Sequence, residues 1–141
     1  MDYETLRKGT LVYHGTDNDD FDEEYASLDG PAWVSTSEAV ARNFVLNRSG
    51  WGGVKRIITY ELGEDVSLPV IRSQRAMAQF AEDNGISLNG VEEIRDSLLR
   101  SELPGWWIPN NYPDGDDILL KDTSILDHVK TIQAFPLFTS L

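Results

Sequence analysis

Two short β-prone segments, Val12-Tyr13-His14-Gly15-Thr16 and Ala32-Trp33-Val34-Ser35-Thr36-Ser37, each run from apolar into polar residues, and this constrains how the chain can fold. A strand built this way lies in a sheet over its apolar half and offers hydrogen-bonding groups at its end. A third segment, Asp114-Gly115-Asp116-Asp117-Ile118-Leu119-Leu120, places a carboxylate at the head of an apolar strand much later in the chain. Histidine, hydroxyl and acid offered from three strand ends point to a nucleotide-binding cleft.

The 141 residues are the size of one domain, spanning 1–141, and can bury a core without covalent staples. Cysteine is absent, which excludes disulfides, thiolate metal sites and thiol nucleophiles. The net charge of -12, from 24 acids and 12 bases, argues against a nucleic-acid partner, because affinity for a phosphate backbone comes from basic residues. That charge serves solubility, or forms a negative face for a basic protein. Met1 to Lys8 holds no apolar stretch of signal-peptide length, and no run approaches the ~20 residues of a membrane span. A cytoplasmic protein with no membrane segment is expected.

Strands are expected at Thr10 to His14, Ala32 to Ser35, Val54 to Leu62, Ile118 to Leu120 and His128 to Phe135. Ser35-Thr36-Ser37-Glu38 fits a capping box that starts a helix running to Asn47, with Val40, Ala41 and Phe44 on its buried face. A second helix is expected over Ser73 to Asn84, closed by Gly85, and a third over Val91 to Arg100, started by Asn89. Leu103 to Pro113, rich in aromatic residues and proline, reads as a structured loop or a short edge strand. Asp17 to Glu24 reads as a solvated acidic loop; Phe21 and Asp22 stand where a calcium loop needs an oxygen ligand and a glycine.

A histidine at a strand end can donate a ring hydrogen to a ribose hydroxyl, and the glycine after it lets a ligand approach the backbone. Alone, the His14-Gly15-Thr16 triplet fits a structural or incidental histidine better. Trp33 and Ser35 share a strand face, so an indole would lie beside hydroxyls, either stacking on a flat heterocycle or packing in the core. Asp114, Asp116 and Asp117 fit a solvated turn, a hard-cation site or a catalytic carboxylate, with no distinctive metal-ligand spacing. Asp117, directly before the apolar run, is expected to be the best fixed of the three. His128 has no such context and reads as a surface or satisfied residue.

Taken in order, Tyr13-His14-Gly15-Thr16, Trp33-Val34-Ser35-Thr36-Ser37 with the helix through Phe44, and Asp117-Ile118-Leu119-Leu120 resemble the ADP-ribosyltransferase superfamily. The resemblance implies an α+β fold, a split antiparallel β-sandwich with peripheral helices and an NAD cleft between the sheets. It implies that His14, Gly15 and Thr16 bind NAD, that Trp33 stacks on nicotinamide, that Ser35 braces the pocket and that Asp117 is catalytic, with no metal. His-type members usually carry tyrosine where this chain has Trp33, and glutamate is the commoner acid. Gly115 stands two before Asp117, where enzymes that modify arginine typically have Glu or Gln.

The implied activity is transfer of ADP-ribose from NAD to a macromolecule, with a protein as acceptor, in a toxin, a phage effector or a regulator. Hydrolysis of NAD is the close competitor, since water can replace the acceptor. A reading of another class is an acidic, non-catalytic protein that binds and blocks a basic partner.

Overall fold

The computed structural model describes residues 2–16, 28, 30–47, 55–113 and 115–134. Among these are eight strands and three helices in an α+β arrangement: β1 (Tyr3–Leu6), β2 (Leu11–Thr16), β3 (Ala32–Val34), α1 (Glu38–Leu46), β4 (Arg56–Leu62), β5 (Val66–Pro69), α2 (Gln74–Asn84), α3 (Val91–Arg100), β6 (Gly105–Tyr112), β7 (Gly115–Leu120) and β8 (Leu126–Gln133). The acidic Asp17 to Glu24 segment, Val54, Asp114 and Phe135 lie outside the described residues. No described helix is long and apolar enough to cross a membrane.

The strands form three antiparallel sheets, ordered β2-β4-β8, β3-β7-β6 and β1-β5. The first two meet through one isolated bridge, Tyr13 to Ser35, in which each amide donates to the other's carbonyl at 2.8 and 3.0 Å. The second and third meet through a parallel bridge, Val70 to Trp107.

Strand alternation sorts the side chains. Val12 on β2 joins Ile58 and Tyr60 on β4, Val34 on β3, and Ile118 and Leu120 on β7 in the main core. Tyr13 and Ile57 face the other way and meet Ala41 and Val45 of α1. On the second sheet, Trp33, Trp106 and Leu119 pack against Phe80 of α2 and Leu98 of α3. His14 and Thr16 therefore continue the face of Val12, and Gly15 lies under α1.

Helices α2 and α3 follow the sequence closely. Ser73 accepts from the Ala76 amide, and Gly85, at φ 68° and ψ 29°, ends α2 in the left-handed region. Two starts differ from expectation. The residue that caps α1 is Ser37, whose hydroxyl accepts from the Val40 amide; Ser35 is still extended in its bridge to Tyr13, and its hydroxyl accepts from the Ser37 amide, ahead of the helix. Gly90, not Asn89, stands at the start of α3, with φ 109° and no side-chain cap bond. Val40, Ala41 and Val45 are buried on α1, whereas Phe44 is exposed. Leu103 to Pro113 contributes an edge strand, β6, whose register with β7 shifts between Ile108 and Tyr112.

Gly15 sits where α1 presses on β2. A Cβ there would collide with the Ala41 carbonyl oxygen and lie 3.2 Å from Val45 Cβ. Gly15→Ala must push the helix away, and overpacking of this kind costs roughly 1–3 kcal/mol. Urea denaturation should show that loss with an unchanged slope, and an unaltered midpoint would mean that α1 adapts without strain.

Candidate functional site

Beyond the Tyr13–Ser35 bridge, β2 and β3 part. The gap between them, walled by α1 and the start of α3, is a cleft of about 500 Å³. All six residues singled out by sequence line it: His14, Gly15 and Thr16 from β2, Trp33 and Ser35 from the β3 segment, and Asp117 from β7. Tyr13, Val34, Val40, Ala41, Phe44, Val91 and Tyr112 complete the lining, which is mostly apolar. Phe44, Val91 and Tyr112 are exposed.

His14 is oriented by its backbone surroundings. Its Nδ1 lies 2.7 Å from the Trp33 carbonyl oxygen. A carbonyl only accepts, so Nδ1 carries the proton. Burial pushes the His14 pKa below its ordinary 6.5, against the smaller opposing pull of that bond. The ring is therefore neutral at pH 7, and Nε2 is an acceptor. This corrects the expected donation of a ring hydrogen to a ribose hydroxyl; the hydroxyl would have to donate instead.

Gly15 has two constraints. Its missing side chain makes room for α1. Its peptide groups alternate in direction with those of His14, so they point to the same strand edge as the Tyr13 amide and carbonyl, which bond Ser35. That edge borders the gap. Trp33 packs edge-on against Trp106, with ring centroids 6.1 Å apart, and also borders the cleft, so the core and ligand-facing readings of Trp33 are compatible.

The two neighbouring aspartates divide sharply. Asp116 is 4 % exposed and is the best fixed, contrary to the expectation for Asp117. Its Oδ1 accepts from Ser35 Oγ at 2.6 Å and from the Thr36 amide at 2.8 Å; its Oδ2 accepts from Thr36 Oγ1 at 2.8 Å and from Trp107 Nε1 at 2.7 Å. Being next in the strand, Asp117 faces the other side. Its carboxylate accepts from Asn111 Nδ2 at 3.3 Å, from Tyr112 Oη at 3.5 Å and from the Ile118 amide. Burial, then the charge of Asp116, pushes its pKa up to about 6. Sequence reasoning missed Asp116 as an anchor and Tyr112 as a lining residue paired with the acid. The alternation of Asp116 and Asp117 about one apolar strand was the available signal.

His128 lies outside the site, exposed, with Nε2 2.8 Å from Thr131 Oγ1. Among the described residues, no group of three or more His, Asp or Glu side chains gathers as a metal site would require. Comparisons of the chain with protein-family models, curated proteins and solved structures gave no match.

Two substitutions separate the aspartates. Asp116→Ala leaves the Thr36 amide, Thr36 Oγ1 and Trp107 Nε1 without their acceptor, while Ser35 Oγ keeps the backbone carbonyl of residue 116; hydrogen bonds to a charged group are worth enough that about 3 kcal/mol or more should be lost. Asp117→Asn should have the opposite sign. A pKa raised from 3.8 to about 6 favours folding fully below pH 3.8, and that contribution disappears as pH rises through 6. The Asn variant should therefore be roughly 1–3 kcal/mol more stable than the parent at pH 8 and equal to it below pH 4. Denaturation at both pH values checks this.

Proposed function

We propose that the chain binds NAD in this cleft and transfers ADP-ribose to a protein acceptor. The observation that carries the reading is convergence. His14, Trp33, Ser35 and Asp117, drawn from three separate parts of the sequence because their order resembles that of ADP-ribosyltransferases, line one cleft of about 500 Å³. The α+β strands, parted at β2 and β3, are what a split β-sandwich of that family would need.

In this reading a ribose hydroxyl donates to His14 Nε2, the Gly15 peptide groups meet the nicotinamide amide, Trp33 stacks on its ring and Ser35 braces the wall through Asp116. The bond between the nicotinamide nitrogen and the ribose carbon breaks with both electrons leaving on nitrogen, so neutral nicotinamide departs. Positive charge grows on the ribose carbon and its ring oxygen, an oxocarbenium-like state. The Asp117 carboxylate stabilises it, and does so more strongly in a largely apolar cleft than in water. An acceptor nucleophile then bonds the ribose carbon and gives up its proton to Asp117 or to solvent.

The exposed Phe44, Val91 and Tyr112 at the cleft favour a macromolecular acceptor over water, because a protein docked there would cover them. NAD hydrolysis and a non-catalytic acidic binder are the outcomes against which transfer is tested.

Incubation with labelled NAD and a cell lysate should label protein. Asp117→Ala should lower that rate by about 100-fold or more, the usual loss for a group that stabilises developing charge. The rate should rise with pH through about 6 as Asp117 ionises. Nicotinamide release without label would make the protein a hydrolase. Silence in both channels from folded protein would leave the binding role. Trp33→Ala should weaken NAD binding by roughly 10-fold, taking the stack to be worth about 1 kcal/mol or more; equal affinity would remove Trp33 from the site.

A further inference from the structure

We infer that Arg56 forms the subsite for the diphosphate of the bound dinucleotide, an inference that rests on the NAD reading above. β2 and β4 run antiparallel, and Thr16 stands opposite Arg56 just as His14 stands opposite Ile58. Residues directly opposite each other project to one sheet face with Cβ atoms about 5 Å apart. The Arg56 side chain therefore leaves the sheet on the face of His14 and Thr16, two residues that line the cleft.

One of its nitrogens, Nη1, is buried and makes no hydrogen bond. A guanidinium offers five N–H donors in a planar fork that matches phosphate oxygens, and a donor left buried and unmade is costly. The chain has 24 acids for 12 bases, so a carboxylate partner would be easy to supply. Yet the ion pairs found among the described residues belong to Arg7, Arg42 and Arg72. Arg56 is not itself among the residues that line the cleft, but it stands opposite Thr16, which is, and it is half-buried with no acid partner among the described residues, as an anion-binding role requires.

The charge balance of the cleft points the same way. His14 is neutral, and Asp117 is the lining residue with a formal charge. A diphosphate brought to that surface on a chain of net charge -12 is repelled unless a cation meets it. Arg42 on α1 is committed to Glu38 at 3.3 Å. Lys55 reaches back to the Leu46 carbonyl at 3.4 Å. Arg95 on α3 donates to the Gly30 carbonyl at 3.2 Å. Among the described residues, Arg56, one strand across from Thr16, is the arginine with a buried nitrogen that makes no hydrogen bond. With a ribose held at His14, the diphosphate falls one step further along β2, between Thr16 and the Arg56 fork.

Calorimetric titration of the whole chain with ADP, and separately with nicotinamide riboside, which lacks the diphosphate, tests this. Arg56→Gln should weaken ADP by at least ~10-fold, as loss of a charge-assisted pair does. Arg56→Lys should restore part of that affinity, and added salt should weaken the parent more than the Gln variant. Nicotinamide riboside should bind all three proteins alike. The melting temperature of Arg56→Gln should not fall, because Gln removes an unmet donor. Equal ADP affinity in the parent and Arg56→Gln, or an equal loss for both ligands, would overturn the diphosphate subsite and leave the NAD reading standing. Failure of the parent to bind either ligand would overturn both.

Discussion

The geometry around the cleft hangs on one buried carboxylate. Asp116 accepts hydrogen bonds from the Ser35 and Thr36 side chains, the Thr36 amide and the Trp107 indole, and so ties the β3–α1 corner to β6 and β7. An ion buried to this depth is tolerated only where donors replace its water. Four donors do so here. The corner they hold carries Ser37 into position to cap α1, and α1 in turn presses on Gly15 and walls the cleft. Removing the carboxylate would loosen the cleft from its floor upward.

The same residue conditions its neighbour. Strand alternation sends Asp117 to the opposite face, where two long hydrogen bonds are its side-chain partners. One carboxylate is saturated and the other is not, and the charge of the first adds to burial in making the second harder to ionise. Two acids held next to each other in unlike environments are a physical route to unlike tasks, one structural and one available for chemistry. Burial likewise keeps His14 neutral, so the cleft combines a neutral acceptor with a carboxylate that titrates near neutrality.

Local signals in the sequence carried the elements whose causes are local. α2 and α3 were legible because helical periodicity acts within a few residues, as do the serine cap and closing glycine of α2. β1 and β5 were not. Each has four residues, and β1 buries only Leu6, so no alternation rises above the background. The site residues were legible as strand-end chemistry, and the cleft that gathers them was not, since it depends on a bridge between Tyr13 and Ser35 and on a helix wedged at Gly15. The capping box failed for a related reason. Ser35 has the right spacing to cap α1, but its backbone is held extended by the bridge to Tyr13, so the helix begins later and Ser37 caps it. Nearness to the apolar run of β7 could not show whether Asp116 or Asp117 would meet the donors of β3.

These features also separate what the fold needs from what it merely carries. Asp116 and Gly15 answer to stability: each fits its surroundings, and the plain alternatives to it collide or leave donors unmet. Asp117 does not. At neutral pH its ionised form works against folding, because a pKa of about 6 means that the folded chain prefers the proton. An amide or an apolar residue would suit that position better on stability alone. The same holds for exposed Phe44 and Val91, which give apolar surface to water beside the cleft. A site where several residues run against local stability while their neighbours satisfy it is where selection for binding or chemistry leaves its trace. Here those residues border one cavity, and the reading of the cleft as a working site rests on that coincidence.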